Sequence, residues 1–206
     1  MDALRALFTE KARLASAVVA EAGGLDEAFA YTAEACAAKE ACRLLPVCCE
    51  GGLSDKAADL CESKWRRRVV AAPGLAPDLF ARFEAVCAAR EIELVADGLH
   101  RHLAGIDVGF TVADFGIAET GTLVLESSSE ELRLATMICE LHVAVLPLSR
   151  LRPTAYDLEA ELLPLLAPNS YVCFVTGPSR TADIERVLAL GVHGPLDLHV
   201  LLWEDR

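Results

Sequence analysis

Two short polar stretches interrupt the apolar second half of this chain, and both have the residue types for chemistry. Residues 111–127 read TVADFGIAETGTLVLES. A strand-like run enters Glu119-Thr120-Gly121-Thr122 and a second apolar run leaves it at once, so a carboxylate, two hydroxyls and a glycine share one tight elbow. At a strand end the Glu119 carboxylate would occupy a dry crevice beside turn N–H groups. That setting suits a general base, or a carboxylate nucleophile attacking an acyl group. Thr120 and Thr122 would donate to a carbonyl or carboxylate. The same residues also serve a plain structural purpose, in which Glu119 accepts bonds from the turn backbone and only fixes its shape. Spacing does not separate the two.

Residues 176–185, TGPSRTADIE, form a second elbow after another apolar run. Gly177, Pro178 and Ser179 precede a predicted helix whose first turn carries Thr181, Asp183 and Glu185. A helix N-terminus attracts anions, but two acids there already occupy the favourable potential. Arg180 restores anion affinity only for a ligand approaching from the loop, and Thr181 reads as a structural cap. Asp114, before Phe115-Gly116, is equally a turn-forming aspartate.

Other site chemistries are not written in the residues. The glycine patterns of dinucleotide and P-loop sites are absent, as is Gly-x-Ser-x-Gly, and no Ser-His-Asp order stands out. His193, in GVHGP, is expected at the amino end of the last strand, away from Glu119 unless its loop folds over. His199 lies within LDLHVLLW and reads as a hydrogen-bonded core histidine. His100, His102 and His142 lack a second ligand set, so no metal site is expected. No two of the eight cysteines have C-x-x-C spacing. Cys87, Cys139 and Cys173 sit among apolar neighbours and read as small buried hydrophobes. Of the five from Cys36 to Cys61, Cys42 and Cys49 would share a helical face while Cys36 would not. Reduced core thiols are the expectation there, against a cluster site. The residues name no cofactor.

With 206 residues and a hydrophobic fraction of 53%, the chain can bury one sizeable core. Its formal net charge of -12 argues against a nucleic-acid surface, which needs clustered Lys and Arg. The single basic run, KWRRR at 64–68, reads as a solvated strand entrance rather than a phosphate patch. No apolar stretch reaches the roughly 18 residues of a membrane span, and the N-terminus lacks a signal-peptide pattern. A soluble, cytoplasmic protein is expected.

The elements that must position the elbows follow from periodicity. Residues 2–22 show helical spacing closed by Gly23-Gly24. Asp26 would cap a second helix with Phe29, Ala33, Cys36 and Ala37 on one face, and Ser54 a short third one. Residues 1–65 thus read as a helical segment and 66–206 as an α/β domain. In the latter, strands are predicted at 69–72, 92–96, 108–112, 116–118, 122–125, 143–146, 171–175 and 198–203. Helices or turns are predicted at 77–90, 98–104, 129–139, 154–166 and 181–190. Continuously apolar strands alternating with helices indicate a mainly parallel sheet with helices on both faces. The close return at Gly121 adds one antiparallel connection. Ligands in such sheets bind at the carboxyl ends of the strands, where both elbows are expected.

ADFGIAETGTLVL, HVAVLP, TGPSRTADIE and GVHGPLDLHV, in that order, resemble the LUD-domain family, in particular its lactate-utilisation protein C group. The resemblance runs from about Val69 to Trp203. It carries over Asp114, Glu119, Thr120, Gly121 and Thr122, then Gly177, Pro178, Ser179, Thr181, Asp183, Ile184 and Glu185, and finally His193, Gly194, Pro195 and His199. It implies a fold similar to the ribose-phosphate isomerase, glucosamine-phosphate deaminase and CoA-transferase superfamily. It also implies a part in oxidising L-lactate to pyruvate, with iron–sulphur clusters on partner subunits. Two roles follow: an accessory or ligand-binding subunit, or a small-molecule enzyme using Glu119 as CoA-transferases use their carboxylate. Self-association is left open.

Overall fold

The computed structural model describes residues 2–41, 64, 67–166, 170–181, 189–190 and 194–205. Its spine is a sheet of six parallel strands: β1 (Val18–Ala22), β2 (Arg68–Ala71), β3 (Ile92–Val95), β4 (Ile106–Val112), β7 (Cys139–Pro147) and β12 (Asp197–Trp203). They lie in the order β1-β12-β7-β4-β2-β3, so β4, β7 and β12 are central and buried on both faces. That is why these strands read as unbroken apolar runs rather than as alternating ones.

One face is covered by α2 (Leu25–Ala38) and α3 (Pro77–Ala88). Phe29 of α2 stacks on Phe83 of α3 with centroids 4.5 Å apart, and both rings meet Phe110 of β4. Such aromatic pairs add roughly 0.5–1.5 kcal/mol each beyond the area they bury. Cys36 and Cys87 are buried in the same cluster, and burial pushes both thiols up to about 12.

The other face is layered twice. A small sheet formed by β5 (Phe115–Ile117), β6 (Thr122–Glu126), β8 (Leu151–Arg152) and β9 (Val172–Val175) lies beside α1 (Asp2–Leu14). Phe8 and Ala12 of α1 and Leu123 and Leu125 of β6 share one core with Ala144, Leu146, Val200 and Leu202 of the main sheet. α4 (Glu130–Met137) packs on β4, where a Cβ at Gly109 would strike the carbonyl of Ala135. Glycine is needed there for the helix to approach. α5 (Glu159–Leu165) follows a short 3-10 turn, Tyr156–Leu158, and Leu158 and Leu162 lie against Ile117 and Val124 of the small sheet.

The mainly parallel α/β architecture agrees with the sequence, including the antiparallel return at Gly121, where β5 pairs with β6. Three expectations change. Residues 2–22 are not one helix: α1 stops at Leu14, Ser16 turns the chain at φ 68°, and Val18–Ala22 pairs in parallel with β12. Pairing with β12 decides this, and the β-branched Val18-Val19 suits the extended backbone it requires. Through β1 and α2, the stretch expected as a separate helical segment contributes directly to the sheet and its covering layer. The helix expected at 181–190 also fails at both ends. Arg180–Thr181 (β10) pairs antiparallel with Ala189–Leu190 (β11), because docking of Ser179 and Arg180 leads the chain into extended backbone. The short helix expected from Ser54, with Cys42, Cys48, Cys49 and Cys61, lies outside the described residues.

A buried ion cluster joins the entrance of β2 to the sheet. Asp107 of β4 is fully buried and accepts from the ammonium of Lys64 and, at 2.7 Å, from the N–H of Val69. Lys39 at the end of α2 lies 3.7 Å from the same carboxylate and 2.9 Å from Glu140. The run 64–68, expected to be a solvated entrance, therefore has one member inside.

Candidate functional site

The structure brings the two elbows together. β6 and β9 are antiparallel, with Leu123 opposite Val175, so the start of one strand meets the end of the other. Thr122 Oγ1 lies 2.7 Å from Thr120 Oγ1 and 2.7 Å from Thr176 Oγ1, a chain of three hydroxyls across the junction. Both elbow glycines are left-handed, Gly121 at φ 66° and Gly177 at φ 74°. Both rest on the end of α1 and the turn that follows it: a Cβ on Gly121 would fall on the Lys11–Ala12 backbone, and one on Gly177 on the carbonyl of Ala15. Arg180 then reaches back to donate to that Ala15 carbonyl at 3.1 Å.

This placement corrects the expected edge. Residues 15–17 lead into β1, and Ser179 N–H donates 2.9 Å to Pro195 O, two residues before β12. The second elbow is thus at the amino ends of β1 and β12, and not at the carboxyl edge of the parallel sheet. β5 folds back over the sheet face after leaving β4, which carries the polar turn away from the edge where β4 ends. The Gly194-Pro195 loop, expected on the far side, adjoins the second elbow, with a Cβ on Gly194 falling 3.2 Å from Ser179 Cβ. His193, Asp183, Ile184 and Glu185 lie outside the described residues.

Nor is Glu119 in a dry crevice. Its side chain is exposed, its N–H donates to Pro153 O at 3.0 Å, and its Oε1 accepts from Ala155 N–H at 3.1 Å. Those bonds hold the turn against the segment after β8. Asp114 is remote from both elbows, at the other end of the β5–β6 hairpin. Its Oδ2 accepts from Glu126 N–H at 2.7 Å and closes the hairpin, while Arg150 approaches within 3.8 Å. Thr181 continues into β10.

Beside the second elbow opens a cleft of about 340 Å³. Residues 173–180 form one wall, Gly194, Pro195 and Leu198 another, and Thr136 and Met137 at the end of α4 a third. The floor is His142 of β7, only 1% exposed. Its Nε2 lies 2.8 Å from Thr111 Oγ1, and no hydrogen bond to Nδ1 is found among the described residues. Burial lowers the imidazole to about 4, so at neutral pH the ring is uncharged and can donate from one nitrogen and accept at the other. Cys173 is half-buried rather than closed in the core, and burial raises its thiol. Arg180 supplies the only formal charge among the described lining residues.

Gly177, Pro178 and Ser179 are therefore cleft residues, whereas Thr120 and Thr122 reach the cleft residue Thr176 through the hydroxyl chain, and Glu119 and Gly121 hold the turn behind it. His142, Cys173 and Thr136 were missed. His142 and Cys173 sit in apolar runs whose pattern does not show that one end opens to solvent. Elsewhere, His199 is hydrogen-bonded as expected, its Nδ1 3.0 Å from the Tyr31 hydroxyl. Among the described residues no three His, Cys, Asp or Glu side chains gather as a metal site, and no helix is long and apolar enough to cross a membrane.

The fold is a parallel α/β sheet carrying a folded-back antiparallel hairpin on one face. The chain belongs to the LUD-domain family, whose model matches residues 5–203. A crystal structure of a DUF162 family protein from Deinococcus radiodurans shares the fold with a TM-score of 0.58, covering 98% of this chain and 97% of that one at 16% identity. Lactate utilization protein C of Halalkalibacterium halodurans is 38% identical over 104 residues, 48% of this chain and 45% of its own length. The protein of that name from Bacillus licheniformis is 35% identical over 104 residues, covering 48% and 43%. An uncharacterised protein of Neisseria meningitidis is 41% identical over 97 residues, covering 47% and 42%. The chain thus spans less than half the length of these curated relatives.

Proposed function

We propose that this chain is a cytoplasmic, ligand-binding subunit of an L-lactate utilisation system, in which L-lactate is oxidised to pyruvate with iron–sulphur partner subunits. The observation that carries this reading is membership of the LUD-domain family together with the name that several relatives share. The cleft supports a ligand-binding role, since it is concave and small, with a few convergent polar groups on largely apolar walls. The exposed setting of Glu119, bonded to the Ala155 amide, supports turn shaping over a CoA-transferase-like nucleophile.

Deleting the coding sequence in its native host and following growth on L-lactate tests the role. Growth should fail, return with the intact chain, and be matched by recovery of iron–sulphur subunits with an affinity-tagged copy. Unimpaired growth of the deletion strain on L-lactate would sink the proposal.

A further inference from the structure

The described lining of the cleft at the second elbow carries a charge opposite in sign to that of the whole molecule. Acidic residues outnumber Lys and Arg 31 to 19, yet among the described residues lining this cleft none is acidic and Arg180 is the one cation. A described lining without carboxylates, in so acidic a chain, favours a negatively charged ligand. One Arg–carbonyl bond, to Ala15, uses only part of a guanidinium that has five N–H donors, so donors remain for a carboxylate.

The floor limits that charge to one. His142 is neutral, so it offers a hydrogen bond and no counter-charge, and a phosphate dianion would meet a single cation where it needs more. Met137 and Phe174 at the rim and Leu198 within give the ligand a short apolar wall. The volume of about 340 Å³ is at the small end of ligand pockets and admits a small acid together with several waters.

We propose that this cleft binds a small monocarboxylic acid bearing an oxygen on the carbon next to the carboxylate, with the carboxylate held by Arg180 and that oxygen bonded to His142. The choice of acid rests on the lactate-utilisation reading; the choice of a single negative charge rests on the cleft alone.

Titration calorimetry of the full chain at neutral pH tests this with L-lactate, its uncharged amide lactamide, propionate and inorganic phosphate. L-lactate should bind about tenfold or more tighter than lactamide, the worth of one charge-assisted contact. Arg180→Gln should remove that advantage and leave lactamide unchanged, with Arg180→Lys restoring part of it. Met137→Glu, at an exposed rim position, should weaken L-lactate several-fold without touching the Ala15 contact. His142→Gln should weaken L-lactate more than propionate. Equal binding of lactate and lactamide, tighter binding of phosphate, or unchanged lactate affinity in both Arg180→Gln and Met137→Glu overturns the proposal. Propionate binding as tightly as L-lactate overturns the bond to His142. Failure here with iron–sulphur partners still recovered leaves the lactate-utilisation role standing; carboxylate binding without a growth phenotype removes that role and leaves this site.

Discussion

Thr122 Oγ1 and Thr176 Oγ1 lie 2.7 Å apart, and this contact joins two polar elbows separated by 54 residues of chain. Thr122 is 5% exposed and bonded on its other side to Thr120. Replacing it by valine keeps the shape and removes both hydrogen bonds, leaving the hydroxyls of the exposed Thr120 and Thr176 to water. Thr122→Val should therefore cost about 1–3 kcal/mol in urea unfolding, whereas Thr120→Val, at the exposed end of the chain, should cost well under half as much. Equal costs would show that the junction does not depend on the central hydroxyl.

The glycines on either side of that bond share one support. Alanine at Gly121 or Gly177 must take a left-handed conformation and also displace backbone at the end of α1, at Lys11–Ala12, or just after it, at Ala15. Each substitution should cost about 2–5 kcal/mol, from roughly 1–2 for the conformation and 1–3 for overpacking. Because both push on the end of α1 and the turn that follows it, the double variant should cost less than the sum by about 0.5 kcal/mol or more. Strict additivity would mean that the two elbows seat independently.

Glu119→Ala separates support from chemistry. An exposed carboxylate holding one backbone amide is worth about 0.5–1.5 kcal/mol, so the variant should fold, lose about that much stability and keep the L-lactate affinity of the cleft. Full stability combined with abolished lactate-dependent growth would restore Glu119 as a reacting group.

How far the sequence reached depends on the range of the interaction concerned. β4, β7 and β12 were legible because burial on both faces writes continuous apolar runs into the residues. Gly121 was legible as a turn because the polar elbow interrupts two such runs. β1 was not, since Val18-Val19 lies in alanine-rich sequence and becomes a strand only by pairing with His199–Trp203 at the far end of the chain. The edge on which the elbows lie was also out of reach. It follows from β5 turning back across the sheet face, a step taken between Ala113 and Phe115 with no periodicity of its own.

Asp107 makes the entrance of β2 sensitive to a single atom group. Removing a fully buried carboxylate that faces Lys64 leaves an uncompensated ammonium, itself only 7% exposed. Asp107→Ala should cost about 3–5 kcal/mol, and adding Lys64→Met should recover most of it, since an apolar replacement of a buried pair is commonly tolerated. Asp107→Asn keeps an acceptor for the Val69 amide and should fall between. If the double variant is no better than Asp107→Ala, the second cation, Lys39, rather than Lys64, dominates the cluster.

His142 predicts a specific acid sensitivity. Burial holds its imidazole at about 4 in the folded chain, against about 6.5 when unfolded. Between those values the unfolded state binds the extra proton, so stability rises with pH there and is lost as pH falls from about 6.5 to about 4. The full effect is on the order of 3 kcal/mol at one ring. His142→Gln keeps a partner for Thr111 without the titration. Its stability, measured by urea unfolding across this range, should lose about that much less than the wild type while matching its remaining acid slope. Parallel curves for the two proteins would mean that the imidazole is reached by water and proton through the cleft, which would also weaken the case for a neutral hydrogen-bonding floor.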